Sequence, residues 1–84
     1  MKIELSNNSK RFLKKCDKEL YNRILKKIKD LQKDPFPSDI KRVKGRKNLV
    51  FRVRVGECRI LYVVFKEKDI ILIADIDKRP KAYD

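Results

Sequence analysis

Phe51-Arg52-Val53-Arg54-Val55-Gly56-Glu57-Cys58-Arg59-Ile60-Leu61-Tyr62 is the stretch whose reading decides the fold. Its first half alternates apolar and basic residues. A strand has a side-chain period of two, so Phe51, Val53 and Val55 share one face and Arg52 and Arg54 the other. Gly56-Glu57 is a two-residue Gly-X link, the mark of a type II′ hairpin turn. With that turn Val55 pairs with Cys58, and Arg54 stands opposite Arg59. Three arginines then share the face turned away from the apolar side.

Working outward, strands are predicted at Leu49–Val55, at Cys58–Phe65 and over residues 70–76. Glu67-Lys68 forms a second tight link, so the three strands make an antiparallel meander. Upstream, residues 2–6 alternate Ile3 and Leu5 with Lys2, Glu4 and Ser6, which predicts a short half-buried strand. Asn7, Asn8 and Ser9 supply N-cap chemistry for a helix over residues 8–15, with Phe12, Leu13 and Cys16 as its narrow apolar stripe. Asp17 caps a second helix, in which Leu20, Tyr21, Ile24, Leu25, Ile28 and Leu31 follow a period of 3.6. Pro35 and Pro37 end it. The order is βααβββ. The fold class is α+β: an antiparallel sheet with a two-helix hairpin packed on one face, in a single domain over residues 1–84.

The chain has 84 residues with 24 Lys and Arg against 12 Asp and Glu, a formal net charge of +12. A field of one sign does not stabilise a fold; it serves polyanionic partners. Apolar runs of about five residues fall far short of the roughly 20 needed to span a bilayer, and the N-terminus lacks an apolar signal segment. Cys16 and Cys58 read as free thiols in a reducing compartment, which implies a cytoplasmic protein. With no His and two Cys, a zinc site has almost no ligands to draw on. No metal and no other cofactor is expected.

Between residues 41 and 59 there are eight Lys and Arg and one acid, Glu57. Residues 38–48 lack periodicity and read as an exposed basic loop carrying Lys41, Arg42, Lys44, Arg46 and Lys47. Like charges directly opposite on a sheet are destabilising, so Arg54 facing Arg59 points to a phosphate-binding groove. At the C-terminal end Lys78, Arg79, Lys81 and Tyr83 extend the set, since Tyr can stack on a base or donate to a phosphate. Asp75 and Asp77 are given no catalytic role.

The run from Phe51 to Tyr62 resembles the central hairpin of the RelE/ParE toxin superfamily, where a YRxRxGxYRxxY-like pattern is usual. Val43-Lys44-Gly45 is similar to the family's LxG, with Val for Leu. Lys78-Arg79-Pro80-Lys81-Ala82-Tyr83 is similar to its terminal hRxxxY. The three motifs and the element order cover nearly the whole chain, which looks most like an archaeal RelE-type toxin. The resemblance implies a toxin of a type II toxin–antitoxin pair that cuts messenger RNA in the ribosomal A site, by attack of a ribose 2′-OH on the adjacent phosphate. It also implies a cognate RelB-like antitoxin that wraps the toxin in a heterotetramer. By position, Arg52 and Arg54 fall on the family's paired basic sites, Arg59 on its phosphate-binding arginine, Arg79 on the arginine near the end and Tyr83 on the terminal tyrosine. Relatives often carry Lys at a paired site, where it can act as general base. Arg stays protonated, so the resemblance assigns no base here. Two alternatives stay open: a ParE-like gyrase-inhibiting toxin on the same fold, and a nucleic-acid-binding module without catalysis.

Overall fold

Ile3 and Leu5 alternate with Lys2 and Glu4, and they form a short strand, β1 (Lys2–Leu5). In the computed structural model of the chain, residues 1–43 and 49–78 are described. Helix α1 (Asn7–Lys15) starts one residue earlier than predicted, and its cap is Ser6 rather than the Asn7-Asn8-Ser9 run. The Ser6 hydroxyl oxygen accepts the Ser9 N–H at 3.1 Å. Ser9 is fully buried, and its hydroxyl donates to the Ile73 carbonyl at 3.0 Å. The polar run is therefore split between the cap and the first turn. Asp17 caps α2 (Lys18–Lys33) as predicted, accepting the Leu20 N–H at 2.8 Å.

The α+β class and the element order hold, with a sheet of five strands in the order β1-β5-β4-β3-β2. The added strand is β2 (Lys41–Arg42), inside the segment read as a loop. It pairs antiparallel with β3 (Leu49–Val55). The rest of the meander is β4 (Cys58–Phe65) and β5 (Ile70–Asp77). The sheet is not wholly antiparallel, because β1 runs parallel to β5. The missed strand accounts for this. A chain that reverses at each connection gains one extra reversal from β2, so β5 returns alongside β1 in the same direction.

At the β3–β4 turn Gly56 has φ +59°, and Glu57 is not among the positive-φ residues, as a type II′ turn requires. A side chain at position 56 would be strained, and its Cβ would stand 3.2 Å from the Arg23 guanidinium. The β4–β5 link is a 3-10 turn at Lys66–Lys68 closed by Asp69 at φ 56°, longer than the predicted two-residue link.

One irregularity sets the faces of β5. The β4–β5 register shifts between Leu61 and Tyr62, so Tyr62 pairs with Ile73 but Leu61 pairs with Asp75. Ala74 is the extra residue of this bulge, and its carbonyl accepts the Ser6 hydroxyl at 2.7 Å. A bulge of one residue changes which side chains face the core beyond it. Here it pairs Ile76 with Ile60, and both are buried in the core.

Helix α1 lies on β5, and α2 on β1 and β3. Between helices and sheet Ile24, Leu31, Ile60, Tyr62, Ile71 and Ile73 are fully buried. The Tyr62 hydroxyl donates to the Pro35 carbonyl at 2.8 Å, which ties the end of the helical segment to the central strand. Burial pushes the Tyr62 phenol above its ordinary range. The unfolded chain therefore loses this proton first. The stabilisation is complete below the unfolded value of about 10 and is lost as pH rises above it. Tyr62→Phe is expected to cost about 1 kcal/mol at neutral pH. Urea unfolding of the two proteins should give a gap that is constant at neutral pH and narrows above pH ~10; parallel curves would show that the phenol does not ionise differently in the two states.

Candidate nucleic-acid interface

Strand pairing lays the basic residues out in two rows on the sheet face opposite the core. In one row Lys41 of β2 stands opposite Arg52 of β3, which stands opposite Leu61 of β4, which stands opposite Asp75 of β5. In the next, Arg54 stands opposite Arg59, and Arg59 opposite Asp77. Partners in such rows have Cβ atoms about 5 Å apart. The predicted convergence of Arg52, Arg54 and Arg59 on one face is present. Their depth was not predicted: Arg54 is exposed, Arg52 is half-buried, and Arg59 on the middle strand is only 5% exposed.

The other predicted residues divide. Lys41 joins the arginine face, as a strand residue rather than a loop residue. Arg42 pairs with Phe51, a core residue, so it takes the opposite parity and leaves the set. Lys78 lines a separate groove at the β3–β4 turn, together with Asp17, Glu19, Arg23 and Glu57. Three acids there make it a poor place for a polyanion. Lys44, Arg46, Lys47, Arg79, Lys81 and Tyr83 lie outside the described residues.

Two depressions flank Arg54. One is lined by Asp39, Lys41, Arg52, Val53 and Arg54. The other runs around the β3 edge between Arg54, Val55 and Gly56 and the α2 residues Arg23, Lys26, Lys27 and Asp30. The α2 cations were missed from sequence, although Arg23, Lys26, Lys27 and Asp30 have the i, i+3, i+4, i+7 spacing of one helix face. The apolar stripe of α2 is the stronger periodic signal, and it masks the charged face beside it. Lys27 Nζ donates to Asp39 at 2.8 Å, and this bond holds the Asp39 carboxyl below the ordinary carboxylate range. The pair ties α2 to the segment entering β2 and offsets the acid at the mouth of the first depression.

Guanidinium groups on rigid strands can donate paired hydrogen bonds to phosphate oxygens. Strands β3 and β4 place two of them opposite each other and a third two residues further along β3 on the same face. Cys58 is buried at the hairpin, where burial pushes its thiol up, so it is no ready nucleophile. No helix among the described residues is long and apolar enough to cross a membrane.

The model of a family described as the ParE toxin of type II toxin–antitoxin system, parDE, matches residues 3–83. The RelE1 protein of Methanocaldococcus jannaschii is 37% identical over 87 residues, covering 82% of this chain and 96% of that protein. Among solved structures, the archaeal RelE–RelB complex of Pyrococcus horikoshii matches with a TM-score of 0.85 at 24% identity, over 96% of this chain and 97% of the other. The RelB–RelE antitoxin–toxin complex of Methanococcus jannaschii matches with a TM-score of 0.74 at 27% identity, over 96% and 95%.

Proposed function

The chain belongs to the RelE/ParE family of type II toxins, and from that premise we propose that it is a metal-independent endoribonuclease that cuts messenger RNA on the ribosome and so arrests translation. The observation that carries this reading is the row in which Arg54 stands opposite Arg59 on the sheet face turned away from the helices. Two cations in register cost stability. A polyanion laid along that face can take paired hydrogen bonds from both guanidinium groups.

In the proposed reaction a ribose 2′-OH attacks the adjacent phosphorus and gives its proton to water, while the bond to the 5′-oxygen of the next nucleotide breaks and that oxygen takes a proton from water, leaving a 2′,3′-cyclic phosphate and a 5′-hydroxyl end. Charge grows on the non-bridging oxygens as the phosphorus becomes five-coordinate. Arg52, Arg54 and Arg59 donate to those oxygens, and Arg79 and Tyr83 complete the set from the C-terminal segment. Lys41, Lys44, Arg46 and Lys47, with Lys81, track the backbone of the message. The relatives solved with RelB support a RelB-like antitoxin as the partner; in this reading it holds the toxin silent in the cytoplasm, in a heterotetramer.

A second reading has one observation in its favour, because the matching family model is described as ParE. It is a toxin that acts on DNA gyrase without cutting RNA. Purified toxin in a cell-free translation system separates the two. Cuts mapped within ribosome-bound message support the nuclease. Intact message together with inhibited supercoiling supports the other. Binding to an uncleavable single-stranded RNA should also be salt-dependent. Four contacts, from Lys41, Arg52, Arg54 and Arg59, give about a 50-fold loss between 50 and 200 mM salt at a slope of about 0.7 per phosphate. An affinity flat across that range would leave the arginine face without phosphate contacts.

A further inference from the structure

Arg59 is 5% exposed, and a guanidinium so deeply placed has to be matched by an opposite charge. The residues in register with it are Arg54 on one side and Asp77 on the other. One repels it and one attracts it. The bulge at Ala74 brings Asp77 there: with regular pairing beyond Tyr62–Ile73, Arg59 would stand opposite Ile76 instead. The bulge is itself held by the Ser6 hydroxyl on the Ala74 carbonyl. A face built only to bind RNA gains nothing from a carboxylate beside its central arginine, since the carboxylate repels phosphate.

We propose that Asp77 is a positioning residue: its carboxylate holds the Arg59 guanidinium across the β4–β5 pairing, against the repulsion of Arg54, in the attitude that meets the scissile phosphate. The inference rests on the nuclease reading for its consequence, but the Asp77–Arg59 pairing can be tested without it. Asp77 lowers ground-state affinity and raises the rate, so binding and turnover should move in opposite directions when it is removed.

The experiment uses the full chain with Asp77→Asn, Asp77→Glu and Asp75→Asn. Asp75 stands opposite Leu61, one step away on the same face, and serves as the charge-matched control. For Asp77→Asn we expect the single-turnover rate on ribosome-bound message to fall about 10- to 100-fold, the range of a misplaced catalytic group. Affinity for a 2′-fluoro RNA oligonucleotide should rise roughly two- to fivefold, as for one screened charge. Asp75→Asn should raise affinity equally and leave the rate unchanged, and Asp77→Glu should restore most of the rate. The Arg59 Nε–H resonance in a ¹⁵N spectrum should exchange with water at least ~10-fold faster in Asp77→Asn than in the wild type, as expected when a charge-assisted bond is lost. An unchanged rate or an unchanged Arg59 resonance in Asp77→Asn overturns the proposal. So does a joint fall of rate, affinity and melting temperature that Asp77→Glu fails to relieve, which would mark a purely structural role. A wild-type chain that cuts no message removes the nuclease reading, and the resonance still decides the pairing.

Discussion

Arg59→Ala is expected to lower message cleavage by about 10²–10³ while the protein stays folded, the usual cost of removing one preorganised donor from a developing oxyanion. Arg59 sits on β4, the middle of the five strands, with paired neighbours on both sides. A donor fixed in this way needs no reorganisation as charge grows on the phosphate. Arg54 is exposed at the far end of the same row and has more freedom, so Arg54→Ala should cost less. Arg59→Lys keeps the charge but loses the planar fork, and it should recover little of the rate. The measurement is growth arrest on induction, with cleavage of ribosome-bound message as the direct readout and circular dichroism as the folding control. Full toxicity from a folded Arg59→Ala variant would sink the nuclease reading and favour a toxin that works by binding a protein.

The hairpin at the centre of the sequence was legible because its signals are local. Gly56-Glu57 fixes the register, and the register puts Arg54 opposite Arg59 whatever the rest of the chain does. Asp17 was legible for the same reason, since a cap lies three residues from the N–H it accepts. What was missed depends on distant partners. Lys41–Arg42 is too short to show a period, and it exists as a strand because β3 is there to pair with. Losing that one reversal also lost the direction of β1. The bulge at Ala74 has no sequence mark, so Asp77 could not be placed opposite Arg59 in advance. Parity told which face Arg59 is on. It could not tell that Arg59 would be buried, because depth is set by everything that packs around a strand.

The remaining large effect concerns the helix that carries cations to the arginine face. Ile24→Ala is expected to cost about 2–5 kcal/mol, because it removes buried methyl and methylene groups and leaves a cavity that a packed core closes only in part. Ile24 is fully buried within the core cluster, alongside Leu31 and Ile28 of the same helix. A domain of this size has roughly 5–10 kcal/mol in all, so one substitution removes a large share. Ile24→Val, which keeps the branched shape, should cost only about 1 kcal/mol. The consequence reaches the candidate interface through α2. Arg23 beside Gly56, and Lys26 and Lys27 across from Arg54, stand where they do because Ile24 and Ile28 anchor the helix on the sheet. Urea unfolding should therefore show a large drop in midpoint for Ile24→Ala, and RNA affinity should fall at urea concentrations where the wild type still binds. A loss below about 1 kcal/mol in Ile24→Ala would mean that the core closes over the gap, and that α2 is held chiefly at its C-terminal end, through the Tyr62–Pro35 bond.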